Sequence, residues 1–530
     1  MPAGAGGGRT PEVWDAIIVG GGHNGLTAAA YIARTGAKVL VLERRREVGG
    51  ACVTEETWPG FHINTYAYAA GLLRPEIVQE LNLHHFGLRT ILFDPQMFQP
   101  LPDGRAVRIW TDAERTARDL ERFSHRDAIA YPKYQAFWER IVKLLDPVLL
   151  APPAPLDQLL KIVPGEEGER LLRDLILRSA RDVLDEWFES EELKGTLAIN
   201  AVIGTFLGPS TPGSAYVLAH HSFGSLDGHR EVWGFAVGGM GSITQALRRA
   251  AEHAGATIAK GVAARHLLVH DGKAVGVETT NGEKLHARVV ASSLDARQTF
   301  LRLAPPDAVP TEFRQRVERI RYRGAQVKFN AALDALPEFP AAPGAPSEAH
   351  QGALEISPSL DYLDRAFDDA KYGRFSAHPF LETLFQSVRD PSVAPPGKHT
   401  MTCFVQYAPH ELRGSTWDEA KPAVADTILG TFEELAPNIR KVVRHIQVVS
   451  PPDVERELGL TGGSIFQGDI TPDQILGFRP VPGWSGYRTP IRGLYLCGSA
   501  AHPGGGVMGA PGRNAAQVMI EDLKGGPTNP

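Results

Sequence analysis

Cysteine is scarce: Cys52, Cys403 and Cys497 are the only three in 530 residues, and their wide spacing excludes a disulfide framework and fits a reducing compartment. Long apolar runs are missing as well. None reaches the roughly 18 residues needed to span a bilayer, so the chain is expected to be soluble or peripheral to a membrane. A net charge of −6 with no basic block or stripe argues against nucleic acid as a partner. The opening MPAGAGGGRTP has neither an apolar signal core nor an Arg-rich amphipathic pattern, and no secretory route is expected from it. Metal ligands at workable spacing are lacking too. His220 and His221, side by side, cannot turn both rings to one ion from a helix face, and no acid or cysteine supports them, so no metal site is expected.

What is present begins at residues 14–50, WDAIIVGGGHNGLTAAAYIARTGAKVLVLERRREVGG. The short apolar run 16–19, bounded by glycine, reads as a buried parallel strand. It leads into Gly20-Gly21-Gly22-His23-Asn24-Gly25, a G-x-G-x-x-G turn. Gly20 permits the tight turn, Gly22 lets the backbone approach a pyrophosphate, and Gly25 lets the helix predicted over 26–35 pack closely on the sheet. The helix N-terminus offers unpaired N–H groups to phosphates. Residues 38–42 form the second strand, and Glu43 at its carboxyl end can accept both hydroxyls of an adenosine ribose. Strand, turn, helix and acid in register predict a dinucleotide site, with His23 and Asn24 in its turn and Arg44 beside its acid.

Glu43 followed by Gly49-Gly50-Ala51 resembles the opening of flavoproteins related to phytoene desaturases, amine oxidases and retinol saturase, which implies FAD rather than NAD. In those proteins the second glycine pair lies along the ribityl-diphosphate part of FAD. At the other end, HPGGGVMG at 502–509 followed by GRNAA resembles the phytoene desaturase superfamily. Within it the likeness is greatest to a branch named for pyridine nucleotide-disulfide oxidoreductase chemistry. The segment 208–213, Trp233-Gly234 and Arg479-Pro480 extend it through almost the whole chain.

The resemblance implies an α/β fold: a Rossmann-like FAD-binding domain of the glutathione reductase or amine oxidase type with an inserted α+β substrate domain. It places Val262 against the adenine, and Gly498, Ser499, Gly506, Val507 and Met508 at the flavin end. There a glycine-rich loop meets a helix N-terminus, where N–H groups and the helix dipole favour the negative charge of a reduced flavin. Many relatives carry an acid where Ser499 stands, and Ser499 can make only a neutral bond. The branch name is not borne by the residues. Flavin disulfide reductases carry a C-x4-C pair after the glycine pair, but the position matching a partner for Cys52 is Thr57. Residues 238–242, GGMGS, open a helix expected over 243–253 without the spacing or acid of a second nucleotide fingerprint.

The expected organisation is FAD-binding segments at 12–81, 233–300 and 487–525, a mainly helical insertion at 82–232 and an α+β substrate domain at 301–486. Amphipathic stretches at 134–150 and 168–188 supply the first insertion, the former with an apolar stripe at Phe137, Ile141, Leu144, Leu145 and Val148. Asp271-Gly272 and Asn281-Gly282 predict a three-stranded meander over 265–291. Alternation predicts strands at 326–332, 380–388 and 399–407, and Val424, Ile428, Leu429, Phe432 and Leu435 mark a helix behind them. Lys328 is expected on an exposed strand face, with facing the flavin as the alternative. His62 is expected to be a half-buried, satisfied histidine, with a place near the ring as the alternative.

The function expected is an FAD-dependent dehydrogenase or desaturase that passes a hydride from an apolar, isoprenoid- or lipid-like substrate to flavin N5. His502 is the candidate base for the second proton, with a structural role as the alternative. A ketolase-like carotenoid oxygenase is the runner-up. A flavin-bearing accessory protein of respiratory or membrane complexes is a third reading, so a respiratory-complex partner and peripheral membrane association belong to the expectations. The location expected is cytoplasmic or on the inner face of a membrane, or the mitochondrial matrix in a eukaryote.

Overall fold

A computed structural model describes residues 13–154, 158 and 165–525. The glycine-rich opening, and the punctuating prolines 155 and 164, lie outside the described residues. Strand Val13–Val19 pairs in parallel with Val39–Glu43 on one side and with Lys284–Ser292 on the other. Thr257–Lys260 extends the sheet beyond Val39–Glu43. Lys284–Ser292 divides its outer edge. Its first residues pair antiparallel with Lys273–Thr279, and its last, Val290 to Ser292, pair in parallel with Leu494–Leu496. One long strand therefore serves both the meander and the last parallel position. The meander runs Ala264–His270, Lys273–Thr279, Lys284–Ser292, as the turn signals predict, and Asp271-Gly272 takes positive φ at both residues.

Helix His23–Ala33 packs between Gly241–His253 and Ala510–Leu523. Small residues make these approaches possible. A Cβ on Gly25 would lie 2.1 Å from the Gly20 carbonyl oxygen, and one on Gly512 would lie 2.1 Å from that of Asn24.

Over this layer stands a second, seven-stranded sheet, in the order Val443–Val449, Gln326–Leu333, His399–Gln406, Phe380–Leu384, Ala353–Ile356, Met97–Pro100, Ala106–Ile109. Its last two strands come from the first insertion, which besides its helices also holds short strands at Thr90–Leu92, Ser225–Leu226 and His229–Arg230. The two insertions thus share one sheet. Val327, Phe329, Ala331, Leu381, Cys403 and Val405 pack on one face with Val424, Ile428 and Phe432 of helix Trp417–Glu433. Lys328, Phe404 and Glu382, alternating with these, turn to the other face. The run at 380–388 ends as a strand at Leu384 and continues as the short helix Gln386–Val388.

Among the described residues no helix is long and apolar enough to cross a membrane. The stripe of the long helix His125–Leu149 is spent on packing: Ile141 lies in a core with Tyr131, Trp138 and Phe188, and Phe137 and Leu145 lie against it.

Candidate functional site

The glycine turn lies at the carboxyl end of Val13–Val19, where Gly20 has φ 97° and its N–H donates to the Leu42 carbonyl at 2.8 Å. Gly20 and Gly25 are required by the fold itself. A Cβ on Gly20 would meet Ser293 Oγ at 2.4 Å. Gly22 differs. Its φ of −72° is open to any residue, and an added Cβ would meet nothing nearer than the Gly49 carbonyl oxygen at 4.0 Å.

Glu43 is buried, and its carboxylate accepts the Gly21 N–H at 2.9 Å and the Arg45 N–H at 2.8 Å. The Val262 N–H donates to the Glu43 carbonyl at 2.8 Å, which sets Val262 beside the acid. Arg44 points outward and caps the carbonyl end of helix Pro451–Leu458 through Arg456 and Glu457. Gly49 bridges Gly22, its N–H donating to Gly21 O at 2.9 Å, so both glycine stretches line one trough. Ala51 carries the trough into a large cavity.

The C-terminal loop joins this trough directly. Asn24 Nδ2 donates to Ser499 Oγ at 3.2 Å, and His23 Nε2 donates to the Gly506 carbonyl at 3.0 Å. Asn24 Oδ1 is buried without a hydrogen-bond partner. Burial drops the His23 imidazole to about 4, so the ring stays neutral and holds the loop as a single N–H donor. His220 does the same for the Gly505 carbonyl at 3.1 Å and is lowered to about 3 by burial and by His221. Gly498 abuts the Ser293 carbonyl too closely for a Cβ, and the Met508 carbonyl accepts the Arg74 N–H at 3.1 Å.

Arg479 is buried beneath the loop. It donates to the carbonyls of Ser499 at 2.9 Å, Gln474 at 3.1 Å and Asp469 at 3.2 Å, and to that of Phe466. His502 stands behind the loop, outside the cavity lining. Its Nε2 donates to the Val148 carbonyl at 2.8 Å, and burial lowers the ring to about 4.

Beyond the loop opens a cavity of about 490 Å³, reached by His23, Ala51, Ser499, Gly506 and Val507 at one end and roofed by the second sheet. Lys328 departs from the exposed strand face expected of it. It is buried rather than exposed, donates to Thr402 Oγ1 at 2.9 Å, and lies 4.1 Å from the centre of the Tyr68 ring. The strand is covered on both faces, and burial lowers the ammonium to about 7. Glu355 and Glu382 stand in the same roof, and burial raises Glu382 to about 7. Sequence reasoning passed over both acids. The available signal was a lone acid inside an otherwise apolar strand, ALEI and FLETL. His62 is exposed, so neither expectation for it holds: Phe61 and Ile63 take the inward positions of a short hairpin. Cys52 is buried, donates to the Met240 carbonyl, and has its thiol pushed far up by burial.

Pyridine nucleotide-disulfide oxidoreductase domain-containing protein 2 of Mus musculus is 41% identical over 98% of this chain and 96% of its own length. The chain belongs to this family. The family's oxidoreductase fold also recurs at lower identity. One of the limonene dehydrogenase polypeptides of Castellaniella defragrans is 26% identical over 96% of the chain and 95% of its own length. Phytoene desaturase (lycopene-forming) of a Paracoccus species is 24% identical over 97% and 99%. A family model described as an NAD(P)-binding Rossmann-like domain matches residues 18–79, the strand–turn–helix unit and its continuation. Cyclohexylamine oxidase of Brevibacterium oxydans has the same fold, with a TM-score of 0.56 at 17% identity over 97% of this chain and all of that one. The Rossmann-like expectation and the amine oxidase type of fold are therefore both met.

Proposed function

We propose that the chain is an FAD-dependent dehydrogenase or desaturase acting on a substrate with a largely apolar body. The observation that carries this reading is the room at Gly22. Of the three fingerprint glycines it alone has no conformational or packing need to be glycine, so its small size serves something that lies against it. A diphosphate along Gly22, Gly49 and Gly50 fits that trough. Each Glu43 oxygen keeps a lone pair for a ribose hydroxyl, and Val262 offers an apolar contact for the base. Asn24 and Ser499 would hold the ribityl chain, with Asn24 Oδ1 free to accept from it. Gly506, Val507 and Met508 lead to the N-terminus of Ala510–Leu523. A bound FAD supplies the acceptor for a hydride taken from a substrate C–H.

The chain's own residues do the rest. Tyr131, Tyr134, Trp138, Trp233 and Phe404 give the cavity aromatic walls that exclude water and orient an apolar body. Lys328 and Glu382, each brought to about 7, hold a proton loosely at neutral pH, which suits them to receive the second proton. His502, tied to Val148 behind the loop, is better suited to supporting it. The relatives named for limonene and phytoene oxidation support an apolar substrate class.

The test is spectroscopic. Purified protein is expected to be yellow, with oxidised flavin absorbing at roughly 450 nm. An anaerobic screen of limonene, phytoene, retinol and a long-chain acyl ester is expected to yield at least one compound that bleaches the band. Colourless protein that cannot be loaded with FAD would sink the proposal.

A further inference from the structure

Three ionisable side chains share one row of the roof sheet. Glu355 stands directly opposite Glu382, Glu382 opposite Phe404, and Phe404 opposite Lys328. Residues directly opposite lie on one face, and all four line the cavity. Lys328 and Glu382 sum to zero charge whichever of them holds the proton. Glu355 is left over. It is fully buried, both its carboxyl oxygens lack a hydrogen-bond partner, and burial and the facing Glu382 keep it protonated. A buried acid in that state is costly unless something completes it.

The rest of the lining repeats the imbalance. Glu139, paired with Lys143 at 3.3 Å, and Glu231 add two carboxyls, and Glu231 Oε1 also lacks a partner. Burial, then Glu139, raises Glu231 to about 8. Arg230, the other cation of the lining, is committed to Asp146 at 2.9 Å. The lining histidines His23 and His221 are both kept neutral by burial. The cavity is short of cations and unfavourable to anions.

We propose that the Glu355–Glu382–Lys328 row recognises a protonated primary amine at one end of an otherwise apolar substrate. This rests on the reading of the cavity as the substrate site. The ammonium donates to Glu355, the Glu355 proton leaves to solvent, and two cations then face two carboxylates in the row. No covalent bond changes.

Decylammonium, decanol and decanoate, titrated calorimetrically into the full-length protein near neutral pH in two buffers of different ionisation heat, test this. Expected are saturable binding of decylammonium at least about tenfold tighter than decanol, no binding of decanoate, and release of about one proton per amine bound. Glu355→Gln is expected to abolish the proton release and to weaken the amine about tenfold relative to decanol. Glu355→Met, which removes the polar end altogether, is the second variant, and circular dichroism checks both folds. Decanol binding as tightly as the amine, amine binding without proton release in the wild type, or unchanged amine affinity in the folded variants would each overturn the proposal. Flavin content of the same samples separates the two readings. Amine recognition by protein that cannot take up flavin leaves this proposal standing and sinks the FAD reading, and yellow protein without amine preference does the reverse.

Discussion

At the scale of the residue, the fingerprint glycines have separable duties, and the space around each separates them as the motif's spacing predicts. Gly25→Ala forces a methyl to within 2.1 Å of the Gly20 carbonyl oxygen and is expected to cost about 1–3 kcal/mol or more, read as a lowered urea midpoint. Gly22→Val, with open space around its Cβ and φ in the ordinary range, is expected to keep the wild-type midpoint and lose flavin. A Gly22→Val protein that stays fully yellow would contradict the placement of the diphosphate. The motif and the duty expected of each glycine were legible in sequence; the distances a Cβ at each would have to its neighbours were not, because they depend on segments brought together by the fold. Glu382 makes a second case. Its folded value, about 7, lies above the ordinary 4.5, so the folded state binds the extra proton between those values and stability falls as pH rises through the window. Glu382→Gln removes that loss. Its stability relative to wild type is expected to climb from pH about 4.5 to about 7 and then level off, measured by urea unfolding across pH.

At the scale of the element, the decisive events are meetings between segments far apart in the chain. The C-terminal loop is held from below by Arg479, whose guanidinium is spent on carbonyls from the segment 466–474 and on Ser499. Arg479→Met leaves those carbonyls unpaired in a buried site and is expected to cost about 3–5 kcal/mol, with flavin content falling alongside the thermal midpoint. Wild-type stability in that variant would mean that the loop stands without its support. The Arg479-Pro480 pair was visible as part of a resemblance, but its duty became readable only with its acceptors in place. Lys328 and the two roof acids teach the same lesson. Period-2 alternation located the strands of Lys328 and Glu382, yet alternation alone cannot say whether a sheet's second face meets water or a cavity. Here it meets a cavity, so a lysine expected outside is buried.

At the scale of the whole molecule, the two insertions form one roof. Thr90–Leu92 pairs with Gly234–Ala236 in a small sheet of its own, and Met97–Pro100 pairs with Ala353–Ile356, so the first insertion is stitched to the segment after it and into the second sheet. Near-ultraviolet dichroism from the cavity aromatics and far-ultraviolet dichroism from the backbone are therefore expected to melt together; two separated transitions would contradict a shared roof. The sequence by itself determined the nucleotide unit, the meander and the helix behind the roof. These rest on local rules: glycine at a turn, an acid at a strand end, a period of two or of 3.6. The tertiary structure alone decided which strands lie side by side, and so which side chains share a face. Glu355 and Glu382 are 27 residues apart in the chain and directly opposite in the sheet. Strand order is fixed by packing across the whole molecule, which no local pattern encodes, and it is strand order that gathers the cavity's charges into one row.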